Sequence, residues 1–277
     1  MTTSIIHSSV VEINLKELTH SVCETAKRAG SFIREERLRF RQESIERKHA
    51  HDYVSYVDKQ SEMLIVGELR KLLPQAGFIT EEGSASHDRE EYCWVVDPLD
   101  GTTNFIHHYP PYAVSIALMQ GDDILLGVVY EICADECFYA WHGGGAFLNG
   151  APIGVHASER GITDALLCLQ LPYNSDAYKP VIKHLIEHFY GRVASIRMMG
   201  SAAVALCYVA AGRLDGYAEK YIGQWDYMAG ALIVKEAGGE VSDYDGSPHF
   251  THGDSIVATN GIIHQELLEG IKKRLTR

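Results

Sequence analysis

The sequence predicts an α/β fold in which helices and sheets form layers. Three observations support this prediction. A long segment near the N-terminus has apolar residues at helical spacing, three β-type runs follow one another in residues 113–141, and strands alternate with helices after residue 151. With 277 residues the chain can bury one large core. We therefore expect a single unit of two packed halves, an α+β half over residues 1–151 and an α/β half over residues 152–277.

The elements of the first half follow from periodicity and from turn residues. We expect the connection at residues 39–48 to be β-type or irregular and residues 48–52 to form a polar loop. Pro98 should end the strand before it, because proline has no N–H to donate to a ladder. The predicted helices cover residues 15–36 and about 54–73, and the predicted strands cover residues 78–80, 92–96, 113–119, 124–130 and 136–141.

The second half alternates strands and helices. Trp225 and Asp226 open one of these helices, with Asp226 placed as its N-cap, and two glycines at 238 and 239 end it. The predicted strands cover residues 166–171, 194–196, 214–219 and 255–258, and the predicted helices cover residues 177–190, 202–211, 225–237 and 262–275.

Composition limits the classes of function. Hydrophobic residues make up 46% of the chain and charged residues 22%, which is typical of a soluble globular enzyme. The net charge of −12 argues against nucleic acid or an anionic membrane as a partner, although a bound cation would still admit a small anionic substrate. The N-terminus lacks a signal peptide and no apolar run could span a bilayer, so we expect a cytoplasmic protein. A metal site at Cys133, Cys137 and His142 is less favoured than ordinary packing of thiols.

Residues 94–105, Trp-Val-Val-Asp-Pro-Leu-Asp-Gly-Thr-Thr-Asn-Phe, are the most informative stretch. A short apolar strand is followed by two carboxylates, Asp97 and Asp100, and then by Gly101 and Thr102. Aspartates bind cations, whereas the backbone N–H groups of a glycine turn bind anions. This combination favours a site for a metal-bound phosphate.

This stretch has three other interpretations. A strand followed by an Asp-Pro turn would need no ligand. An EF-hand would require an oxygen ligand where Leu99 stands. A haloacid dehalogenase-type phosphatase has one residue between its aspartates, whereas two residues separate Asp97 and Asp100.

Five other acidic residues have both a structural and a functional interpretation. Asp58 near the start of the second helix would complement the helix dipole. Glu81 and Glu82 follow a predicted strand and would otherwise belong to a solvated loop. Asp226 would be a helix cap, and Glu219 alone would be a surface charge.

Taken together, the motifs resemble those of the inositol monophosphatase family of magnesium-dependent, lithium-sensitive phosphatases. The resemblance runs from about residue 15 to the C-terminus and implies a five-layer α/β/α/β/α sandwich of the sugar phosphatase type. The motifs that support it are Asp58, Glu81-Glu82, residues 97–105, Gly200-Ser201-Ala202, Trp225-Asp226-x-x-Ala-Gly and Glu236-Ala-Gly-Gly.

The resemblance implies roles for individual residues. The implied metal ligands are Glu81, Asp97, the carbonyl of Leu99, Asp100 and Asp226. They would bind two Mg²⁺ ions, with Asp97 bridging the two. Whether a third ion binds near residues 48–52 stays an open question. The implied catalytic residues are Asp58, Glu81 and Thr102. The implied substrate-binding residues are Asp100, Gly101, Thr102, Gly200, Ser201, Ala202, Glu219 and Asp226.

The function implied is hydrolysis of a small polyol phosphate monoester, with inositol 1-phosphate as the favoured substrate, by in-line attack of a metal-activated water. Fructose 1,6-bisphosphate, 3′-phosphoadenosine phosphates and histidinol phosphate are alternative substrates. A non-enzymatic, metal-dependent binding protein on the same scaffold is a second alternative. The resemblance also implies a homodimer.

Overall fold

A computed structural model describes residues 13–40, 45–49, 52–85, 90–155, 161–170 and 175–272. Its strands form a two-stranded, a seven-stranded and a five-stranded sheet. The strands are β1 (Ile45–His49), β2 (Asp52–Ser55), β3 (Gly77–Thr80), β4 (Tyr92–Asp100), β5 (Ala113–Gln120), β6 (Asp123–Glu131), β7 (Glu136–Trp141), β8 (Gly145–Leu148), β9 (Ala151–Ile153), β10 (Leu166–Leu169), β11 (Ser195–Arg197), β12 (Gly216–Lys220), β13 (Glu240–Ser242) and β14 (Ser255–Thr259).

The helices lie between and outside the sheets. They are α1 (Leu15–Arg37), α2 (Tyr56–Leu72), α3 (Thr102–Ile106), α4 (Ser175–Phe189), α5 (Ala202–Ala210), α6 (Gln224–Glu236) and α7 (His264–Lys272), together with a 3-10 turn at Ile162–Asp164. In the parts of the chain that the structure describes, no helix has the length and apolar character needed to cross a membrane.

Three hydrophobic clusters hold five layers together. Helices α1 and α2 pack on one face of the large sheet, in the order β3-β4-β5-β6-β7-β8-β9. Helices α5 and α6 fill the space between that sheet and the smaller one, in the order β11-β10-β12-β14-β13. Helices α4 and α7 cover the outer face of the smaller sheet. The predicted fold class is confirmed, and the middle cluster contains residues from both sides of residue 151.

Strand β4 is longer than predicted, because Pro98 does not end it. The strand pairs Asp97 with Ser115 and Asp100 with Ala113, so two residues of β4 face one residue of β5. This is a β-bulge. Because the bulge already lacks a hydrogen bond between the strands, the proline does not remove a further one. The prediction that Pro98 terminates the strand is wrong.

The other predicted elements are found with small shifts, and several short ones were missed. The predicted meander of β5, β6 and β7 is confirmed. Strand β1 confirms the β-type alternative predicted for the connection, and its antiparallel pairing with β2 extends into the predicted loop. The side chains of residues 45–54 and the whole of residues 50 and 51 lie outside the described part, and the third-ion hypothesis falls there. Helix α3 and strands β9 and β13 had no sequence prediction.

Helix α6 approaches the large sheet unusually closely at Gly127. A Cβ atom at this position of β6 would lie 2.5 Å from the carbonyl oxygen of Ala229 in α6. Backbone therefore packs directly on backbone, and glycine is required here by space, as its φ is not positive.

Candidate active site

The ends of two parallel strands bring the first carboxylates together. Strands β3 and β4 run parallel, with Thr80 opposite Val96, so Glu81 and Asp97 follow at the same edge. The N–H of Glu81 donates to the carbonyl of Val96 at 3.2 Å, which continues the ladder by one residue. Asp97 is 1% exposed, and its Oδ1 accepts from the Leu99 N–H at 2.9 Å.

Three aspartates converge at this edge. One carboxylate oxygen each of Asp97, Asp100 and Asp226 lies within 4.8 Å of the others. Among the described residues this is the one group of three or more His, Cys, Asp or Glu side chains with metal-ligand spacing, so Cys133, Cys137 and His142 do not form such a group. Asp226 arrives from the opposite half, at the start of α6.

Asp226 does not occupy the cap position predicted for it. Gly223 is the N-cap of α6, and Asp226 stands at the third helical position, from which its Oδ2 accepts from the Gly223 N–H at 2.7 Å. The prediction of an N-cap is wrong by three residues. The Asp226 carboxylate nevertheless accepts from an N–H group at the N-terminus of α6. One of its oxygens also lies within 4.8 Å of oxygens of Asp97 and Asp100.

Asp100 is held differently from its neighbours. It accepts hydrogen bonds from the Ser201 hydroxyl at 2.5 Å and from the N–H groups of Ala203 at 2.8 Å and Ala202 at 3.3 Å. These donors form the N-terminus of α5, where the helix dipole also favours a negative charge. Ser201 thus links the two halves of the molecule directly at the site.

Burial and mutual repulsion govern the protonation of these acids. Burial raises the pKa of Asp97 well above its ordinary value, and the nearby charges of Glu81, Asp100 and Asp226 raise it further. Burial also raises the pKa of Asp226, with Asp100 and Glu81 contributing. The pKa of Asp100 rises only to about 6, because its three hydrogen bonds oppose the effect of burial. A cation among these oxygens would relieve both the burial cost and the repulsion.

A second pair of predicted residues lies beside the aspartates. The hydroxyl of Thr102 lies 2.9 Å from Oδ1 of Asp58 and 3.1 Å from the carbonyl oxygen of Leu99. Asp58 is fully buried, and its Oδ2 accepts from the N–H of Ser55 at 2.9 Å and from the Ser55 hydroxyl at 2.7 Å. Asp58 therefore completes the capping box of α2, and it also accepts a hydrogen bond from Thr102.

Two glycines allow the loops to meet. Gly101 has φ +92°, and a Cβ there would lie 3.1 Å from the Gly200 carbonyl oxygen. Gly200 has φ +73°, and a Cβ there would lie 2.8 Å from the Asn104 side-chain oxygen. Positive φ and close contact together exclude a larger residue at both places.

Two side chains that sequence analysis missed hold the loop before α5. Asn104 donates to the carbonyls of Met199 and Pro111, each at 2.8 Å. Gln170 accepts from the N–H groups of Met199 at 2.9 Å and Gly200 at 3.1 Å. Asn104 lay inside the recognised motif and could have been singled out, whereas Gln170 had no signal in the sequence.

Glu219 on β12 is a buried carboxylate near the same site. It is 8% exposed and accepts a short hydrogen bond from the Tyr217 hydroxyl. Burial raises its pKa to about 8, and the charge of Asp100 adds to the effect while Tyr217 opposes it. Burial raises the pKa of Asp226, and Glu219 is among the nearby acids that raise it further.

The likeness to known proteins covers nearly the whole chain. Residues 14–276 match the model of the inositol monophosphatase family. The chain belongs to this family. Members are metal-dependent phosphatases that hydrolyse phosphate monoesters, and the acidic cluster of Asp97, Asp100 and Asp226 is able to bind a metal.

Individual relatives agree with this membership. An inositol-1-monophosphatase of Mesorhizobium japonicum is 37% identical, with 94% of this chain and 97% of the relative covered. A Nus factor SuhB of Pseudomonas aeruginosa is 38% identical, with 94% and 98% covered. The structure of inositol monophosphatase from Anabaena superposes with a TM-score of 0.84 at 33% identity, over 94% of this chain and 97% of that one.

Proposed function

We propose that this protein hydrolyses a small polyol phosphate monoester in a Mg²⁺-dependent reaction, with inositol 1-phosphate as the favoured substrate. The observation that supports the proposal most directly is the position of the Thr102–Asp58 pair, hydrogen bonded at 2.9 Å and linked through Leu99 to three converging aspartates. Ligands for a cation and a path for a proton thus lie side by side.

The residues present fit Mg²⁺. Every proposed ligand is a hard oxygen, which is the donor type that Mg²⁺ selects. Burial, together with repulsion among the acids, raises the pKa values of Asp97 and Asp226, and a bound cation would offset both effects. We assign Glu81, Asp97 and the Leu99 carbonyl to one ion, and Asp97, Asp100 and Asp226 to a second. Bound Mg²⁺ would lower the pKa of a ligated water and stabilise the leaving alkoxide.

Thr102 and Asp58 are assigned to orienting the attacking water and to accepting its proton. With its hydroxyl donated to Asp58, Thr102 presents oxygen lone pairs to a water, and Asp58 is ready to take the proton that Thr102 passes on. The two Ser55 hydrogen bonds to the other Asp58 oxygen hold the carboxylate in this orientation. Glu81 is assigned an assisting role at the same water.

Substrate binding is assigned to both halves of the site. The N–H groups of Gly101 and Thr102 would bind phosphate oxygens. Glu219 would accept hydrogen bonds from vicinal hydroxyls of the polyol. Gly200 contacts Gly101, and Ser201 and Ala202 donate to Asp100, so we propose that these three residues act on the substrate through the loop and carboxylate they hold.

Phosphate release from a panel of substrates tests the proposal. We expect release from inositol 1-phosphate in Mg²⁺, weaker release in Mn²⁺, inhibition by Ca²⁺ and by millimolar-range Li⁺, and none in excess EDTA. The panel includes fructose 1,6-bisphosphate, a 3′-phosphoadenosine phosphate and histidinol phosphate, and a higher kcat/KM for one of these would reassign the substrate. Full activity in excess EDTA would contradict the mechanism.

The relative named as a Nus factor supports keeping a non-enzymatic, metal-dependent binding role as a second candidate. The presence of both Asp58 and Thr102 favours catalysis, because a binding protein needs no proton path. Absence of release from the whole panel, together with retained Mg²⁺ binding, would favour the second candidate. On the family resemblance alone we also propose a homodimer.

A further inference from the structure

Glu62 is a buried acid that has no place in the proposed chemistry. It lies on α2 one turn beyond Asp58 and is 0% exposed. Its two oxygens accept from backbone N–H groups of the loop after β3, Oε2 from Glu82 at 2.7 Å and Oε1 from Ser84 at 2.7 Å. Both distances are typical of charge-assisted hydrogen bonds.

These bonds fix the segment that presents Glu81. On one side, the Glu81 N–H donates to the Val96 carbonyl at 3.2 Å. On the other side, the very next N–H donates to Glu62, and Gly83 then turns the chain at φ +71°. The backbone at Glu81 is therefore held from both directions, by the strand that carries Asp97 and by the helix that carries Asp58.

Stability alone does not account for a carboxylate at this place. Removing an ionised carboxylate from water costs several kcal/mol, and two backbone donors recover only part of that cost. Ser84 is exposed and Glu82 is half-buried, so the loop lies at the protein surface, where water is an alternative partner for backbone N–H groups. The same helix face also fixes the bulge, where the Ser61 hydroxyl donates to the Pro98 carbonyl at 3.1 Å.

We infer that Glu62 is a positioning residue, which clamps residues 82–84 so that the Glu81 carboxylate is held in place for a cation beside Asp97. The inference rests on the proposed function, because that proposal assigns Glu81 to a cation. Side chains that orient metal ligands from behind contribute about 10- to 100-fold to metal affinity or activity. Glu62 belongs to this class, although it acts through the backbone rather than on the ligand's side chain.

Glu62→Gln tests the inference by removing the charge at nearly constant volume. The amide keeps one acceptor oxygen and places an NH₂ group against the second N–H, so one clamp bond is lost. We expect Mg²⁺ binding measured by calorimetry to weaken about 10-fold or more. Glu68→Gln is the matched control, since Glu68 lies on the same helix in surface ion pairs with Arg28 and Lys71, and its Mg²⁺ affinity should equal that of wild type.

A double variant separates positioning from general damage. If Glu62 acts through Glu81, Glu62→Gln should weaken Mg²⁺ binding no further in a Glu81→Gln background. Equal weakening in both backgrounds would overturn the inference. Glu62→Asp keeps the charge but is one methylene too short to reach both N–H groups, so it should weaken binding as well.

Folding is monitored by thermal melts in EDTA, where both Glu62 variants should melt cooperatively. Wild-type Mg²⁺ affinity in Glu62→Gln would overturn the inference and leave the proposed function intact. Absence of Mg²⁺ binding in the wild-type protein would overturn the proposed function, and this inference with it.

Discussion

The two walls of the site hold negative charge in opposite ways. In the wall from residues 58–102, Asp97 has one backbone donor and is surrounded by other carboxylates. In the wall from residues 200–226, the N-terminus of α5 gives three hydrogen bonds to Asp100, which reaches across from the first wall. The burial of the two aspartates is similar, yet the pKa of Asp100 rises only to about 6, whereas the pKa of Asp97 rises well above its ordinary value.

This difference separates the tasks of the walls. Carboxylates without enough donors bind a cation strongly, because the cation replaces the missing donors and cancels their repulsion. A carboxylate that already accepts three hydrogen bonds, as Asp100 does, is also held in a fixed geometry by the protein. We therefore expect changes in the first wall to abolish chemistry, and changes in the second wall, apart from the proposed ligand Asp226, to alter recognition of the substrate.

The largest effect is expected for Asp97→Asn, which removes one charge from the centre of the first wall at almost constant volume. The variant should be inactive, yet at least as stable as wild type without metal, because repulsion among the acids falls. Wild type should gain melting temperature with Mg²⁺ and the variant should gain little. Thermal melts in EDTA and in Mg²⁺ decide this, with Asp123→Asn, an exposed position on β6, as the control. A less stable but active Asp97→Asn protein would show that Asp97 only caps a turn.

Thr102→Ala should come next, because it removes a proton-transfer group but no metal ligand. We expect kcat to fall by about 10²–10⁴-fold with Mg²⁺ binding nearly unchanged. Steady-state kinetics and calorimetry measure the two quantities separately. Thr103→Ala, at the neighbouring position, serves as the control and should keep wild-type kcat. An unchanged kcat in Thr102→Ala would remove Thr102 from the mechanism.

Glu219→Gln, in the second wall, should have the smallest effect. Loss of an acceptor oxygen for substrate hydroxyls costs about 1 kcal/mol, so KM should rise about five-fold while kcat changes less. The exposed Glu266→Gln on α7 should leave KM unchanged. A large fall in kcat with constant KM would place Glu219 in the chemistry and break the separation of the walls.

The same variant also has a pH signature. In the folded protein the pKa of Glu219 is raised to about 8 from an ordinary value of 4.5, so between these pH values the folded state holds a proton that the unfolded state has released. The stability contributed by Glu219 thus falls as the pH rises through this window. Without metal, Glu219→Gln should melt progressively higher than wild type between pH 5 and pH 8. A constant difference in melting temperature would contradict the buried, protonated state.

Much of this site could be predicted from the sequence because its parts are local. The end of β4 and the start of α3 contain Asp97, Asp100, Gly101 and Thr102. The spacing of these residues alone indicated a site that binds a cation beside an anion. The prediction at Pro98 was wrong because it assumed a regular strand. One extra residue in β4 forms a bulge, which accommodates the proline and turns Asp100 toward α5.

The supporting residues could not be predicted, because their partners are distant in the chain. Glu62 contacts a loop 20 residues away, and Gln170 contacts one about 30 residues away. A single buried Glu or Gln has no periodicity that reveals its partner. Tertiary contacts of this kind can be identified only from coordinates, whereas the reacting groups could be identified from the sequence.

The close contact at Gly127 has a consequence for mutational tolerance. Because Ala229 in α6 lies against this glycine, even a methyl group would push the helix away from the sheet, and Asp226 lies one turn before the point of contact. A genetic screen for loss of function would thus recover alleles at Gly127, which carries no side chain in the site, that displace one proposed ligand relative to the other two. Such an allele would resemble an active-site lesion in its phenotype while leaving every reacting side chain intact.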